Sequence, residues 1–280
     1  MKKRTLNDAL IEAFESDLQN EEKSDNTIGK YMRDVRHFAE FLHGRTVDKT
    51  LTLEYKEELG RNYAPASANS MIASLNSFLR FAKWHDCCVK QFKVQKKTYC
   101  SEDTEISKSE YIALVNAAED KRNERLSLLI QTICGTGIRV SEVSYITVEA
   151  VQKGEATVSC KGKTRKVFIV SALRKKLLNY VKKHGIKHGI VFITKNGKPM
   201  DRSNIWREMK TLCKTTGILP DKVFPHNLRH LFARTFYRIE KDIAKLAEIL
   251  GHSNINTTRI YIISTGAEHR RRMESMRLII

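Results

Sequence analysis

The sequence predicts a mainly α-helical protein with one small β-sheet (an α+β fold), built as two domains. Apolar residues recur three and four positions apart along most of the 280 residues, which is the period of amphipathic helices. β-Branched residues cluster in one short region, residues 156–170, where they indicate a hairpin. Residues 91–107 are polar and charged and interrupt the helical period. A chain of this length can bury two separate cores.

The N-terminal third consists of predicted helices. Over residues 26–44 one helical face is apolar, and it carries Ile28, Tyr31, Val35, Phe38 and Leu42. Asn26 or Thr27 can cap the start of this helix, and Gly44 ends it. A second helix, within residues 67–86, has an apolar stripe made of Met71, Leu75, Phe78, Leu79 and Ala82. We therefore predict a helical domain over residues 1–92.

A linker at residues 93–107 precedes a second domain, predicted over residues 108–280. Its amphipathic segments predict helices within residues 108–120, 124–137, 171–185, 203–217 and 227–240. Two strands, Ala156–Ser159 and Val167–Val170, flank a turn of lysine and glycine. This domain is therefore predicted to surround one small sheet with helices.

The charge of the chain, formally +18, is unevenly distributed. Residues 1–100 carry 17 Lys and Arg against 14 Asp and Glu, whereas residues 101–280 carry 33 against 18. Such an excess favours a polyanionic partner, and nucleic acid before an anionic membrane or an acidic protein. In the first domain five basic residues lie off the apolar stripes, as solvated charges or as DNA phosphate contacts: Lys30, Arg33, Arg36, Arg80 and Lys83.

The composition argues against several other classes. A hydrophobic content of 41% with a mean hydropathy of −0.42 is typical of a globular protein. No apolar run approaches the ~18 residues of a membrane span, and the start of the chain lacks a signal-peptide pattern. The six cysteines form no C-x-x-C pair, which favours reduced thiols in the cytoplasm. We expect no membrane partner.

The segment PHNLRH, residues 225–230, places imidazoles and a cation on one helical face. His226 and Arg229 are three positions apart, which suits binding an oxyanion and moving a proton, although a solvent-facing pair has the same pattern. His230 adds a second imidazole four positions after His226. Zinc is disfavoured, because no H-E-x-x-H pattern or obvious third ligand accompanies the pair. His230 is therefore interpreted as a packing residue.

Three further segments carry candidate groups. In GTGIRVSEV, Arg139 follows two glycines and can bind a phosphate or pair on the surface with the glutamate one turn on. CKGKTRK places Lys161 and Lys163 in the hairpin turn, where most lysines are simply exposed. In LGHSNINTTRIY, His252 precedes Tyr261 by nine residues, and a tyrosine in such an Ile-rich segment is also a common core residue.

Together these groups fit a phosphoryl transfer that uses no metal. A tyrosine can attack a phosphodiester and hold it as a covalent ester. Arginines would offset the charge of the non-bridging oxygens, while histidine and lysine would move protons. No acidic cluster with metal-ligand spacing accompanies them in the sequence.

In order along the chain, GTGIRVSEV, CKGKTRKVFI, FPHNLRHLFA and LGHSNINTTRIY resemble the boxes of the tyrosine recombinases (integrases), over about residues 106–262. The resemblance implies a catalytic set consisting of Arg139, Lys161, His226, Arg229, His252 and the nucleophile Tyr261. The hairpin is one residue shorter than in many relatives, and Cys160 and Phe168 replace a frequent Gly and Pro. Lys163 therefore stays an alternative to Lys161.

The same resemblance implies a C-shaped DNA clamp, made of a SAM-like core-binding domain and a catalytic domain with a C-terminal tail. Its activity would be site-specific recombination through a 3′-phosphotyrosyl intermediate, without a cofactor, for integration, excision, inversion or resolution. Relaxation of DNA as by a type IB topoisomerase, and DNA binding without catalysis, are the alternatives.

The implied partners are double-stranded DNA with inverted half-sites, further copies of the chain as a homotetramer on two DNA sites, and an accessory DNA-bending protein. In the hairpin, Lys163 and Arg165 would contact DNA. The apolar end of the tail, residues 273–280, is expected to dock on a neighbouring protomer. The expected location is the cytoplasm.

Overall fold

The structure is a computed structural model that describes residues 4–94, 104–160, 163–262 and 266–277, for some of which, including Lys163, only the backbone is described. The chain divides into two compact units, Met1–Lys96 and Lys97–Ile280. The division falls inside the predicted linker, of which residues 95–103 lie outside the described ranges. In the described ranges no helix is both long enough and apolar enough to cross a membrane.

The described part of the N-terminal unit is a bundle of four α-helices. They are α1 (Asp8–Asn20), α2 (Asp25–Leu42), α3 (Lys49–Asn62) and α4 (Pro65–Phe81), followed by the 3₁₀ helix His85–Cys87. The apolar stripes predicted for α2 and α4 form its core, where the buried members are Ile28, Val35, Phe38, Leu42, Leu75, Phe78 and Leu79. A helical N-terminal domain is therefore confirmed.

The ends of α2 differ from the prediction. The helix begins after Ser24 rather than at Asn26 or Thr27, and Asp25 occupies the first turn, where a carboxylate is favourable beside the free N–H groups. At the other end His43, with φ 46°, takes the left-handed conformation that usually falls to glycine, and Gly44 follows it. Both ends lie one to three residues from the predicted ones.

The C-terminal unit is also mainly helical. Its α-helices are α5 (Lys108–Asp120), α6 (Glu124–Thr136), α7 (Val148–Lys153), α8 (Ser171–Lys183), α9 (Arg202–Thr216), α10 (Pro225–Glu240), α11 (Ile243–Leu250), α12 (Ile255–Ile262) and α13 (Gly266–Ser275). Two 3₁₀ helices cover Val140–Tyr145 and Pro220–Lys222. One large apolar core connects α5 to α10 with the sheet, and a smaller cluster joins α10, α11 and α12. The expected α+β class is confirmed.

The sheet is a single antiparallel hairpin of β1 (Glu155–Cys160) and β2 (Lys163–Phe168). The bounds predicted for the second strand, Val167–Val170, were wrong, since β2 begins at Lys163 and ends at Phe168. Glu155 pairs with Phe168 and Cys160 with Lys163, so the register extends β2 toward the turn. The buried β-branched residues Val167 and Ile169 therefore mark only the C-terminal end of β2 and the residue after it.

Gly137 ends α6 and is required by its surroundings. The helix continues through Gly135 and stops where Gly137 takes a φ of +65°. A Cβ at Gly137 would lie 2.4 Å from the ring of Phe232 on α10. The close approach of α6 to α10 at this point brings the carbonyl of Gly137 beside the candidate site.

Candidate active site

The candidate site is organised around the first turns of α10. Pro225 occupies the first helical position, where its missing N–H costs no hydrogen bond. His226 and Arg229 line a cleft of about 490 Å³, bounded also by the 3₁₀ helix Val140–Tyr145 and the start of α9. The other charged or aromatic side chains of its lining are Arg139, Arg202, Trp206 and Phe224. Four of the lining side chains can therefore donate hydrogen bonds from cationic or imidazole groups.

Arg229 is almost fully buried, with 1% of its surface exposed. Its Nη1 donates to the carbonyl of Gly137 at 2.5 Å, and its Nη2 donates to that of Leu250 at 2.6 Å. Burial lowers the pKa of Arg229 to about 10, with the positive charge of Arg139 acting in the same direction. The side chain is still protonated at neutral pH. Within the described residues its Nε–H has no acceptor.

Arg139 is fixed by a carboxylate and by the end of α11. Its Nη1 donates to Glu142 at 2.9 Å, and its Nη2 donates to the carbonyl of Gly251 at 3.0 Å. Glu142 is 2% exposed, and it also accepts a 2.5 Å hydrogen bond from Arg165 of β2. The pair of Arg139 with Glu142 is therefore present as expected. It is not a surface pair, because the carboxylate of Glu142 is buried and binds Arg139 and Arg165 together.

Gly251 permits this arrangement through its lack of a side chain. It ends α11 in the left-handed conformation, with a φ of +65°. A Cβ would lie 2.5 Å from Cδ and Nε of Arg165. Because the last carbonyls of a helix lack partners inside it and carry partial negative charge, Leu250 and Gly251 offer favourable acceptors to the two catalytic arginine candidates.

His252 directly follows this helix end and lies against Arg229. Its Nε2 is 3.0 Å from Nη2 of Arg229, and its Nδ1 is 2.9 Å from Oγ1 of Thr258, which is fully buried. Burial lowers the pKa of His252 to about 4, and the charges of Arg229 and Arg139 act in the same direction. The ring is therefore neutral at pH 7.

Tyr261 lies on α12 and is 6% exposed. Its ring packs into the small apolar cluster with Ala233, Leu246 and Leu250. Its hydroxyl is 3.3 Å from Nε2 of His226. The ring is therefore in a core, as the first interpretation expects, while the hydroxyl faces a catalytic candidate and its role as nucleophile stays a prediction.

His226 stands between the cleft and Tyr261. Burial lowers the pKa of His226 to about 4, and electrostatic interactions with His230 and then Arg229 act in the same direction. His226 is nevertheless an exposed residue on the cleft, and water there weakens the effect of the neighbouring charges. A neutral imidazole with Nε2 turned to a phenol can accept its proton.

Five of the six predicted catalytic residues come together in this site: Arg139, His226, Arg229, His252 and Tyr261. Lys161 lies outside the described residues, and the side chain of Lys163 is not described. Arg165, which was expected to contact DNA, donates a hydrogen bond to Glu142, the carboxylate that also binds Arg139.

Sequence reasoning missed Arg202 and Trp206, which line the same cleft from α9. Trp206 is 49% exposed, which is unusual for a large aromatic side chain. The available signal was their spacing of four on a helix, which places both on one face. It also missed Thr258, six residues after His252, and Glu105, which is 125 positions from its partner His230.

The five predicted DNA contacts of the N-terminal unit do not share one environment. Arg33, Arg36, Arg80 and Lys83 are exposed. The ammonium of Lys30 instead donates to Asp34 at 2.5 Å and to Ser74 at 2.8 Å, between α2 and α4. A packing role therefore accounts for Lys30.

A tyrosine hydroxyl 3.3 Å from a histidine, in a site that also holds two arginines and a second histidine, on a helical fold with a hairpin, is typical of the tyrosine recombinases. Residues 105–268 match the phage integrase family, and residues 11–86 match the N-terminal SAM-like domain of phage integrases. The chain belongs to the phage integrase family.

Two curated relatives that are tyrosine recombinases match most or all of the chain. The chain is 29% identical over 288 residues to the tyrosine recombinase XerA of Pyrococcus furiosus, a match that covers 100% of this chain and 98% of that protein. It is 29% identical over 276 residues to the tyrosine recombinase XerD of Halalkalibacterium halodurans, covering 85% and 87%. The enzyme class is thus site-specific tyrosine recombinase.

Solved structures share the fold at lower identity. A crystal structure of XerA recombinase aligns with a TM-score of 0.55 at 24% identity, covering 97% of this chain and 99% of that one. A lambda integrase (75–356) dimer bound to a COC′ core site gives 0.76 at 18%, covering 94% and 96%. The site-specific recombinase XerH, bound to a difH substrate, gives 0.69 at 17%, covering 95% and 84%.

Proposed function

We propose that this chain cuts and rejoins double-stranded DNA at specific sites through a 3′-phosphotyrosyl intermediate. The observation that carries this proposal is the 3.3 Å approach of the Tyr261 hydroxyl to Nε2 of His226, on a cleft lined by Arg139 and Arg229. A nucleophile, a proton acceptor and two cations are then within reach of one phosphate.

Tyr261 is the proposed nucleophile. Its oxygen forms a bond to the phosphorus of the scissile phosphodiester, while the bond from phosphorus to the 5′-oxygen breaks. The phenolic proton passes to His226, whose lowered pKa keeps Nε2 free to accept it at pH 7. The products are a 3′-phosphotyrosyl ester and a 5′-hydroxyl strand.

Arg139 and Arg229 are proposed to bind the non-bridging oxygens. Both are already oriented by backbone carbonyls and by Glu142, so little reorganisation is needed when charge develops on the phosphate. His252, beside Arg229, is proposed to hold that guanidinium in place for the phosphate.

The proton for the leaving 5′-oxygen is proposed to come from Lys161, with Lys163 as the alternative two residues along the hairpin. The described flank of the hairpin supports this, because Thr164 and Arg165 line a pocket that Arg139 and His252 also line. The phosphotyrosyl ester conserves the bond energy of the backbone, so rejoining needs no ATP and we expect no cofactor.

The finer assembly is proposed from the same chemistry. Inverted half-sites on the DNA, a homotetramer on two sites and an accessory DNA-bending protein would complete the reaction, which takes place in the cytoplasm. The exposed Arg33, Arg36, Arg80 and Lys83 would contact backbone phosphates through the N-terminal unit, and Lys30 is left out of this set.

The first experiment selects bound DNA from a random pool and places the selected site in a nicked suicide substrate. Wild type is expected to form a DNA-linked species that survives denaturation, and Tyr261→Phe is expected to bind the DNA without forming it. If the Phe variant still traps DNA, Tyr261 is not the nucleophile.

A second experiment separates recombination from topoisomerase-like relaxation. Two plasmids of different size, each with the selected site, are mixed with the protein. Joined products are expected, whereas relaxed plasmids without joined products would favour the alternative activity.

A further inference from the structure

Three histidine rings surround Tyr261, and the nearest has no part in the proposed chemistry. The ring centroid of His230 is 4.3 Å from that of Tyr261, compared with 5.3 Å for His252 and 5.5 Å for His226. We propose that His230, held by the carboxylate of Glu105, is a positioning residue that orients Tyr261 toward His226. This inference rests on the proposed role of Tyr261 as nucleophile.

His230 lies one turn after His226 on α10, and the two rings are also in contact, with centroids 4.8 Å apart. Its ring therefore touches both members of the pair between which the proton is transferred. It meets Tyr261 with an interplanar angle of 58°. Any rotation of the His230 ring would change the space available to both partners.

The His230 ring is fixed from its far side. Its Nδ1 is 3.1 Å from Oε1 of Glu105, and the side chains of the pair are 15% and 11% exposed. Burial raises the pKa of the Glu105 carboxyl, but the hydrogen bond from His230 and the charge of Arg234 outweigh it, so the pKa lies below its usual range. The ionised carboxylate therefore accepts the Nδ1–H of His230.

Glu105 is itself anchored to α10 rather than free in a loop. Its Oε2 is 3.2 Å from Nη1 of Arg234, one turn beyond His230. On either side of Glu105, Asn227 donates to the carbonyl of Thr104 at 2.9 Å, and Arg234 donates to that of Ile106 at 2.7 Å. The carboxylate thus has a defined position relative to the helix that carries His226.

Orientation matters here because the reacting pair is not yet at its closest. The distance of 3.3 Å between the Tyr261 hydroxyl and His226 is long for a hydrogen bond between a phenol and an imidazole. A displacement of about 1 Å in a reacting group can reduce a rate about 10²-fold. Among the three histidine rings, that of His230 has its centroid closest to the tyrosine ring, so its packing can resist such a displacement.

Two substitutions separate the ring contact of His230 with Tyr261 from its hydrogen bond to Glu105. His230→Phe keeps a ring against Tyr261 but loses the hydrogen bond to Glu105. His230→Asn keeps a donor close to the Nδ1 position but loses the ring. Each is expected to slow covalent complex formation at saturating DNA by about 10- to 100-fold, with the DNA concentration for half-saturation unchanged within about twofold.

Glu105 supplies the conservative rescue. Glu105→Gln retains an acceptor for Nδ1–H and is expected to cleave near the wild-type rate, whereas Glu105→Ala is expected to be as slow as His230→Phe. Glu110→Ala is the matched control, because it removes a part-buried carboxylate paired with Lys222 at 3.1 Å and with no ring contact to Tyr261. It is expected to cleave at the wild-type rate.

A spectroscopic readout separates this inference from the proposed function. With 3-fluorotyrosine at position 261, the ¹⁹F NMR line is expected to be unchanged in Glu105→Gln and shifted or broadened in Glu105→Ala. That response without any covalent DNA product in wild type would sustain the positioning role and reject the nucleophile. Folded His230 and Glu105→Ala variants with wild-type cleavage rates, or defects in DNA affinity alone, would overturn the positioning role.

Discussion

The guanidinium of Arg229 lies 3.0 Å from Nε2 of His252, and this contact fixes the tautomer of the histidine. Arginine can only donate, so Nε2 must be the acceptor and Nδ1 must carry the proton of the neutral ring. That proton is donated to Oγ1 of Thr258 at 2.9 Å. A buried threonine on the helix of the nucleophile therefore orients the histidine beside the arginine.

Thr258→Val is expected to destabilise the protein by about 1–3 kcal/mol, because the Nδ1–H of His252 would lose its buried acceptor. It is also expected to slow cleavage of bound DNA, since the ring of His252 is no longer held. Thermal unfolding and single-turnover cleavage measure the two effects. Thr257→Val, at the exposed neighbouring position, is the control and should change neither. Equal behaviour of the two variants would remove Thr258 from the site.

Arg139→Ala and Arg229→Ala are expected to slow single-turnover cleavage by a factor on the order of 10²–10³, the usual cost of one preorganised donor. DNA affinity should change much less, because many other basic residues contribute to it. Arg207→Ala is a control from the exposed surface of α9. Variants with strongly reduced DNA affinity that cleave the bound DNA at the wild-type rate would contradict the assignment.

The stability of the protein is expected to fall as the pH drops from about 6.5 toward 4. The folded-state pKa of His252 is about 4, below its ordinary value of 6.5, so the unfolded chain binds more protons across that interval. Unfolding therefore becomes more favourable as the pH falls, and this contribution to stability is complete above pH 6.5. Denaturant unfolding of wild type and His252→Gln at pH 7.5 and 5 measures it. The variant should lose less stability between the two values, and an identical loss would argue against a buried neutral His252.

A substrate with a 5′-bridging sulfur tests the lysine. Sulfur leaves well without a proton, so it is expected to rescue cleavage by Lys161→Ala and to leave Arg139→Ala slow. Lys163→Ala is the parallel variant from the same hairpin. Selective rescue of Lys163→Ala instead would move the role two residues along the chain.

Deletion of Met273–Ile280 is expected to leave binding to one half-site nearly unchanged and to weaken cooperative filling of the second. Met273 and Met276 are 61% and 59% exposed, which is costly for apolar side chains unless a partner covers them. Gel shifts on one and two half-sites, followed by recombination assays, measure the effect. A truncated protein that loads both half-sites cooperatively and recombines at the full rate would rule out docking in trans.

The parts of the fold that depend on local pattern could be predicted from the sequence. The stripe from Ile28 to Leu42 is set by helical period alone, and it is buried as expected except at Tyr31, which is partly buried. The limits of β2 were wrong because the register depends on a partner strand, and the polar residues near Lys163 pair as well as the valine beyond them. Pairing is not written in either strand separately.

The candidate site shows the same limit. Its residue types and their order were visible, whereas the contacts that hold them were not. Arg229 is bound by the carbonyls of Gly137 and Leu250, and backbone oxygens have no sequence signature. Glu105 and His230 are 125 positions apart, so no local spacing could join them.

The attachment of Arg139 and Arg229 to backbone oxygens of residues 250–251 makes the site tolerant of one kind of evolutionary change and intolerant of another. A replacement at the exposed Ser253 leaves both carbonyls in place, so this position can vary, whereas Gly251 must admit Arg165 and Leu250 fills the core beside Tyr261. In contrast, the number of residues between Gly251 and Tyr261 is expected to be fixed. One residue inserted within α12 ahead of Tyr261 would turn the tyrosine by about 100° and shift it by about 1.5 Å along the helix. We therefore expect variation around this nucleophile to accumulate as replacements, while insertions and deletions between residues 251 and 261 eliminate activity.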